Sequence, residues 1–112
     1  MSFYQIAQDL HFLIRNNFVF RRLAHTIPDA ETVSFGTDAD TNVKIYGLKC
    51  GGLTFDLDTM NTEDDDQFIL SVMIDRKSVG NSKICSGESH LGNTIRKILR
   101  LTPDELVQYL KA

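Results

Sequence analysis

The chain has no tryptophan and only two prolines and two cysteines among its 112 residues. It contains no run of about eighteen apolar residues, so no membrane-spanning helix is expected. The opening segment MSFYQIAQDLHF has no basic stretch followed by an unbroken apolar one, and does not read as a secretory signal. Cys50 and Cys85 are far apart, and neither has a second Cys or His at ligand spacing, which argues against a zinc site. They read as two reduced thiols of a cytosolic protein, although the sequence leaves a bridge between them open. Internal repeats and low-complexity linkers are absent too, so residues 1–112 are expected to form one domain.

What is present is ordinary for a globular protein: 42% hydrophobic and 24% charged residues. Such a chain can bury one core without a metal or a disulfide framework. Seven Phe supply most of the aromatic bulk. The charge is unevenly placed. Residues 1–75 carry five basic and twelve acidic side chains, net −7, whereas residues 76–112 carry seven basic and three acidic ones, net +4. A molecule with such halves has an electrostatic dipole.

Residues 2–27 read as a long helix. Ser2 is a good N-cap with Gln5 three positions on. Apolar residues follow at mostly helical steps until Pro28, before which the helical region is disfavoured. Asn16-Asn17 reads as a place where this helix bends or breaks. Two-residue alternation then takes over. Val33 and Phe35 share one face of a first strand, and Gly36 to Asn42 is a turn by composition. In NVKIYGLKC the apolar phase passes from Val43 and Ile45 to Leu48 and Cys50, which marks Gly47 as a candidate β-bulge. Gly51-Gly52 is a hairpin turn. Leu53, Phe55 and Leu57 face one way, and Thr54, Asp56 and Asp58 the other. QFILSVMID, apolar on both faces, reads as a central strand. A loop around a short strand, SKIC, follows.

The C-terminal part returns to helical spacing, with Leu91, Ile95, Ile98 and Leu99 as a stripe and Ser89 as N-cap. Thr102-Pro103-Asp104-Glu105 combines an N-cap, proline at the first helical position and Glu at the third. It opens a last helix that buries Leu106, Val107 and Leu110. The expected fold is α+β, in the order α-β-β-β-β-α-α: an antiparallel sheet of about four strands with the helices on one face. Phe35, Ile45, Phe55, Leu70 and Val72 are expected in the core.

The densest chemistry lies in FDLDTMNTEDDDQF, where Asp56, Asp58, Glu63, Asp64, Asp65 and Asp66 make six of the fifteen acidic residues. An EF-hand would need a glycine at its sixth position and ligands at alternating positions, and Thr59-Met60 breaks that spacing. No metal or cofactor is expected. The segment reads first as a solvated turn, and next as an acidic strip that docks on a basic partner surface. Arg96, Lys97 and Arg100, with Arg76, Lys77 and Lys83, form a candidate basic patch for nucleic acid. No aromatic residue lies between Phe68 and Tyr109 to stack on a base. Cys85 and His90 are the only residues that suggest a nucleophile and base, without an orienting third group. His11 and His25, fourteen residues apart, read as structural. The glycines of SGESHLGN lead to no Gly-Lys-Ser/Thr and form no phosphate loop.

These readings point to a small non-catalytic cytoplasmic protein that binds another macromolecule, a regulator or inhibitor such as the accessory proteins of phages and mobile elements. Its partner is expected to be a protein. A nucleic-acid-binding regulator using residues 76–100 is the alternative, and a small enzyme using Cys85 and His90 is the third.

Overall fold

The computed structural model describes residues 2–59 and 65–111. Helix α1 spans Phe3–Thr26 and begins as its sequence requires, with the Ser2 hydroxyl accepting the Gln5 amide at 3.2 Å. It ends before Pro28, where the Ile27 amide still donates to the Leu23 carbonyl. Strands β1 (Ala30–Thr37), β2 (Lys44–Cys50), β3 (Leu53–Leu57) and β4 (Gln67–Ile74) follow, then the short β5 (Lys77–Ser78) and β6 (Lys83–Ser86). Helices α2 (Glu88–Leu99) and α3 (Pro103–Lys111) close the chain. All described strand pairs are antiparallel, in the order β1-β2-β3-β4-β5, with β6 pairing the first half of β4. The α+β class is therefore as expected. The strand count is larger because both short segments after β4 find a partner on it, and β4 is central as its two apolar faces require.

One core lies between the sheet and the helices. Val19, Phe20 and Leu23 of α1 meet Leu48, Phe55, Leu57, Phe68, Leu70 and Val72 of the sheet, and Leu91, Ile95 and Ile98 of α2. Burying each such large side chain stabilises the fold by about 1.5–3 kcal/mol. Leu106 and Leu110 of α3 complete the cluster. Thr102 and Glu105 form a reciprocal capping box: the Glu105 amide donates to the Thr102 hydroxyl at 3.3 Å, and the Thr102 amide to the Glu105 carboxylate at 2.9 Å. At its far end α3 rests on Gly80, where a Cβ would overlap Leu110, and the Asn81 amide donates to the Leu110 carbonyl at 2.7 Å.

Several sequence expectations are corrected. Helix α1 does not break at Asn16-Asn17, because both side chains bond to the sheet instead of to their own helix. The bulge lies not at Gly47 but on β1, opposite Tyr46 and Ile45, where the register shifts between Ser34 and Gly36 and Phe35 is the extra residue. Gly47 is needed because the Phe35 ring lies over it; a Cβ there would overlap the ring and stand 2.9 Å from the Phe55 carbonyl oxygen. Phe35 thus lies on the outer face of the sheet, 41% exposed, and Ile45 is only half-buried, so neither belongs to the core. The alternation Val33/Phe35 was legible, but not which face the helices cover. Phe55, Leu70 and Val72 are buried as expected. Ser89 lies inside α2, whose N-cap is Gly87, and Val107 is exposed because α3 turns only Leu106 and Leu110 inward.

Candidate functional site

The acidic segment joins β3 to β4, and two adjacent residues of α1 clamp both of its stems. Asn16, buried among apolar neighbours, donates to the carbonyls of Leu57 and Asp58 at 3.3 and 3.2 Å. Arg15 donates to the carbonyls of Asp65 and Gln67 at 2.6 and 2.8 Å. Arg15 also donates to the Asn16 side-chain oxygen at 2.9 Å, which joins the two halves of the clamp. Its guanidinium stands 4.8 Å from the Phe12 ring centre and 4.2 Å from that of Phe68. Burial lowers the Arg15 pKa, and the charges of Asp65 and Asp66 oppose that shift. Two further bonds fix the stems: the Asp58 amide to the Ile69 carbonyl, 2.9 Å, and the Gly87 amide to the Asp66 carbonyl, 2.7 Å.

Of the six acids, Glu63 and Asp64 lie outside the described residues. Asp65 and Asp66 are exposed, with His11 of α1 3.6 Å from the Asp65 carboxylate. Asp56 stands on the outer face of β3, opposite Ser71 of β4, and is half-buried. Its pKa is raised, first by burial and then by the charge of Asp58. Asp56 and Asp58 thus crowd one another on the β3 stem, while Asp65 and Asp66 stand on the β4 stem beside α1. Among the described residues, no group of three or more His, Cys, Asp or Glu is placed to hold a metal ion.

The basic residues lie away from this end. Helix α2 starts beside Asp66, and Arg96, Lys97 and Arg100 lie near its C-terminus, roughly 12–18 Å along the helix at 1.5 Å per residue. Strand β4 likewise runs from the acidic turn to Arg76 and Lys77 at its far end. Arg96 leans toward α1 and donates to the Thr26 hydroxyl at 3.3 Å. Lys97 leans the other way. Its ammonium stands 4.8 Å from the Tyr109 ring centre, with Lys83 at 4.5 Å. The fold thus brings to the basic patch the aromatic ring that chain order withholds from it, and that ring is engaged by two lysines.

Cys85 and His90 do not form a nucleophile–base pair. The Cys85 thiol is 1% exposed and its pKa is raised by burial, against the low pKa an activated nucleophile needs. His90 Nδ1 accepts the Ser86 amide at 2.9 Å and so serves the β6–α2 turn. Cys50 and Cys85 are both buried free thiols.

Arg15, Asn16 and Tyr109 are the site residues that sequence reasoning missed. One signal for Asn16 was available: it is a polar residue within the core-facing stripe Phe12, Leu13, Val19, Phe20, Leu23. A polar group there must find a partner, because an unsatisfied one is costly. Among the described residues no helix is long and apolar enough to cross a membrane. Compared with protein-family models, curated proteins and solved structures, the chain matches none of them.

Proposed function

We propose that the chain is a non-catalytic cytoplasmic protein, a regulator or inhibitor, that binds a partner protein through the acidic segment 56–66. The observation that carries this reading is the double clamp. Arg15 and Asn16 hold both stems of the segment on α1, so its carboxylates start from a fixed base and lose less freedom on binding. The raised pKa of Asp56 adds to it: a half-buried carboxylate beside Asp58 is unfavourable when alone, and an approaching cation relieves it. A partner that presents Arg or Lys, as surfaces that hold phosphate do, fits this charge.

The test is capture of partners from a lysate, identification by mass spectrometry, and kinetics of each against the parent chain and a variant with Asp64, Asp65 and Asp66 changed to Asn. The variant is expected to melt like the parent, to associate more slowly and to lose most of its salt dependence. Equal association rates for parent and variant would remove the acidic segment from the interface.

One observation favours the second reading, nucleic-acid binding. Tyr109 lies beside Lys83 and Lys97. A base would have to displace a lysine from that ring to stack on it. A gel shift near physiological salt separates the readings. Micromolar or tighter retention, lost when Arg96, Lys97 and Arg100 become Gln, would favour the basic patch.

A further inference from the structure

Helix α1 carries a second apolar stripe, on the side turned away from the core. Phe3, Ala7, Leu10 and Ile14 follow one another at steps of four, three and four, the alternating spacing of a helix face that packs along another helix. Phe18 and Arg21 continue the line. Phe3 is 87% exposed, Phe18 51% and Ile14 40%, and Tyr4 next to Phe3 is 71% exposed; Leu10 is half-buried. Full burial on α1 begins only at Phe12, so residues 3–11 form an overhang in which Ile6, Gln8, Asp9 and Leu10 are half-buried and the rest exposed.

We infer that a second copy of this chain covers this stripe, with the two α1 helices antiparallel about a two-fold axis near residue 12. This goes beyond the acidic-segment reading and uses a different surface. Three features select this occupant and direction. The overhang, residues 3–11, matches in length the stretch 13–21 that lies over the body, so each copy's free half is covered by the other's supported half. In that register Leu10 faces the partner's Ile14, Ala7 its Asn17, and Phe3 its Arg21, a guanidinium already 5.6 Å from the Phe18 ring centre. A cleft of about 150 Å³ between α1 and β2, lined by Ile14, Asn17, Phe18, Arg21 and Tyr46, lies where the partner's Phe3 is set down. A parallel pair would place Arg21 against Arg21 and align the two helix dipoles unfavourably.

The area suffices for a reversible dimer. Burying Phe3, Tyr4, Ile14 and Phe18 from both copies removes roughly 1,000 Å² from water, the lower limit for a specific interface. Sedimentation equilibrium over a range of concentrations is expected to show a mass rising from 12.7 kDa toward twice that value. Leu10→Glu and Ile14→Lys, each alone, are expected to stay monomeric with the parent's circular dichroism. Mixed together they are expected to dimerise, because an antiparallel pair sets the Glu against the Lys and leaves the other layer Leu against Ile. A parent chain that stays monomeric overturns the inference, as does a dimer indifferent to Ile14→Lys. Two monomeric variants that do not associate on mixing overturn the antiparallel arrangement. None of these outcomes touches residues 56–66, so the acidic-segment reading stands or falls separately.

Discussion

Asn16 and Asp56 are two polar residues in settings that cost them differently. Asn16 is buried and saturated: it gives both amide hydrogens to the β3 stem and accepts from Arg15. Asn16→Ala would take a donor from the buried Leu57 carbonyl and the part-buried Asp58 carbonyl and loosen Arg15, so a loss of about 1–3 kcal/mol is expected in urea unfolding. A change within a few tenths would mean that water takes over those bonds without cost. Asp56 works the other way. Its folded-state pKa is raised, so the folded protein holds that proton more tightly than the unfolded chain, and its charge costs stability at neutral pH. That cost disappears as pH falls through the raised pKa into the ordinary carboxylate range. Asp56→Asn is therefore expected to melt higher than the parent at pH 7, with the gap closing at acid pH. A lower melting temperature at pH 7 would show that the carboxylate has a stabilising contact that outweighs its burial.

At the scale of elements, local chemistry was legible and facing was not. The ends of α1 and the capping box of α3 could be read directly, since a cap involves residues three apart in sequence. Gly51-Gly52 does form the two-residue turn between Cys50 and Leu53. Phe35 shows the limit. Its alternation with Val33 specified a strand, but only the position of α1 decides which face is inside, and that depends on contacts between distant segments. The acidic cluster was visible from composition, whereas its clamp joins residues some fifty apart in sequence. Distance along the chain also hid the encounter of Tyr109 with Lys83. For α3, Thr102→Ala is expected to cost about 0.5–2 kcal/mol. The Glu105 carboxylate has its pKa lowered by its bonds to the Thr102 amide and hydroxyl. Its contribution is present above the ordinary Glu range and is lost as pH falls through the lowered folded value. Glu105→Gln should accordingly flatten the acid limb of the melting-temperature profile, opposite in sign to the effect of Asp56. An unchanged acid limb would mean that the cap is not formed in solution.

At the scale of the whole molecule, the principal extents are 44 × 26 × 25 Å, and α1 alone is about 36 Å long. Charge is separated along α2, with the acidic turn beside its start and Arg96, Lys97 and Arg100 at its other end. Along α1, Asn16 grips the β3 stem and Asn17 grips β2, donating to the Lys44 carbonyl at 2.8 Å and accepting the Tyr46 amide at 3.2 Å. Two adjacent side chains thus engage two different strands. A helix held by grease alone can roll about its axis or creep along it by a fraction of a turn at little cost. A helix keyed at two points in different directions can do neither without breaking bonds at both. The free end of α1 is consequently a pointer of fixed bearing: whatever is joined near Phe3 inherits the orientation of the sheet, so a rotation imposed on one is delivered to the other as by a crank on a splined shaft.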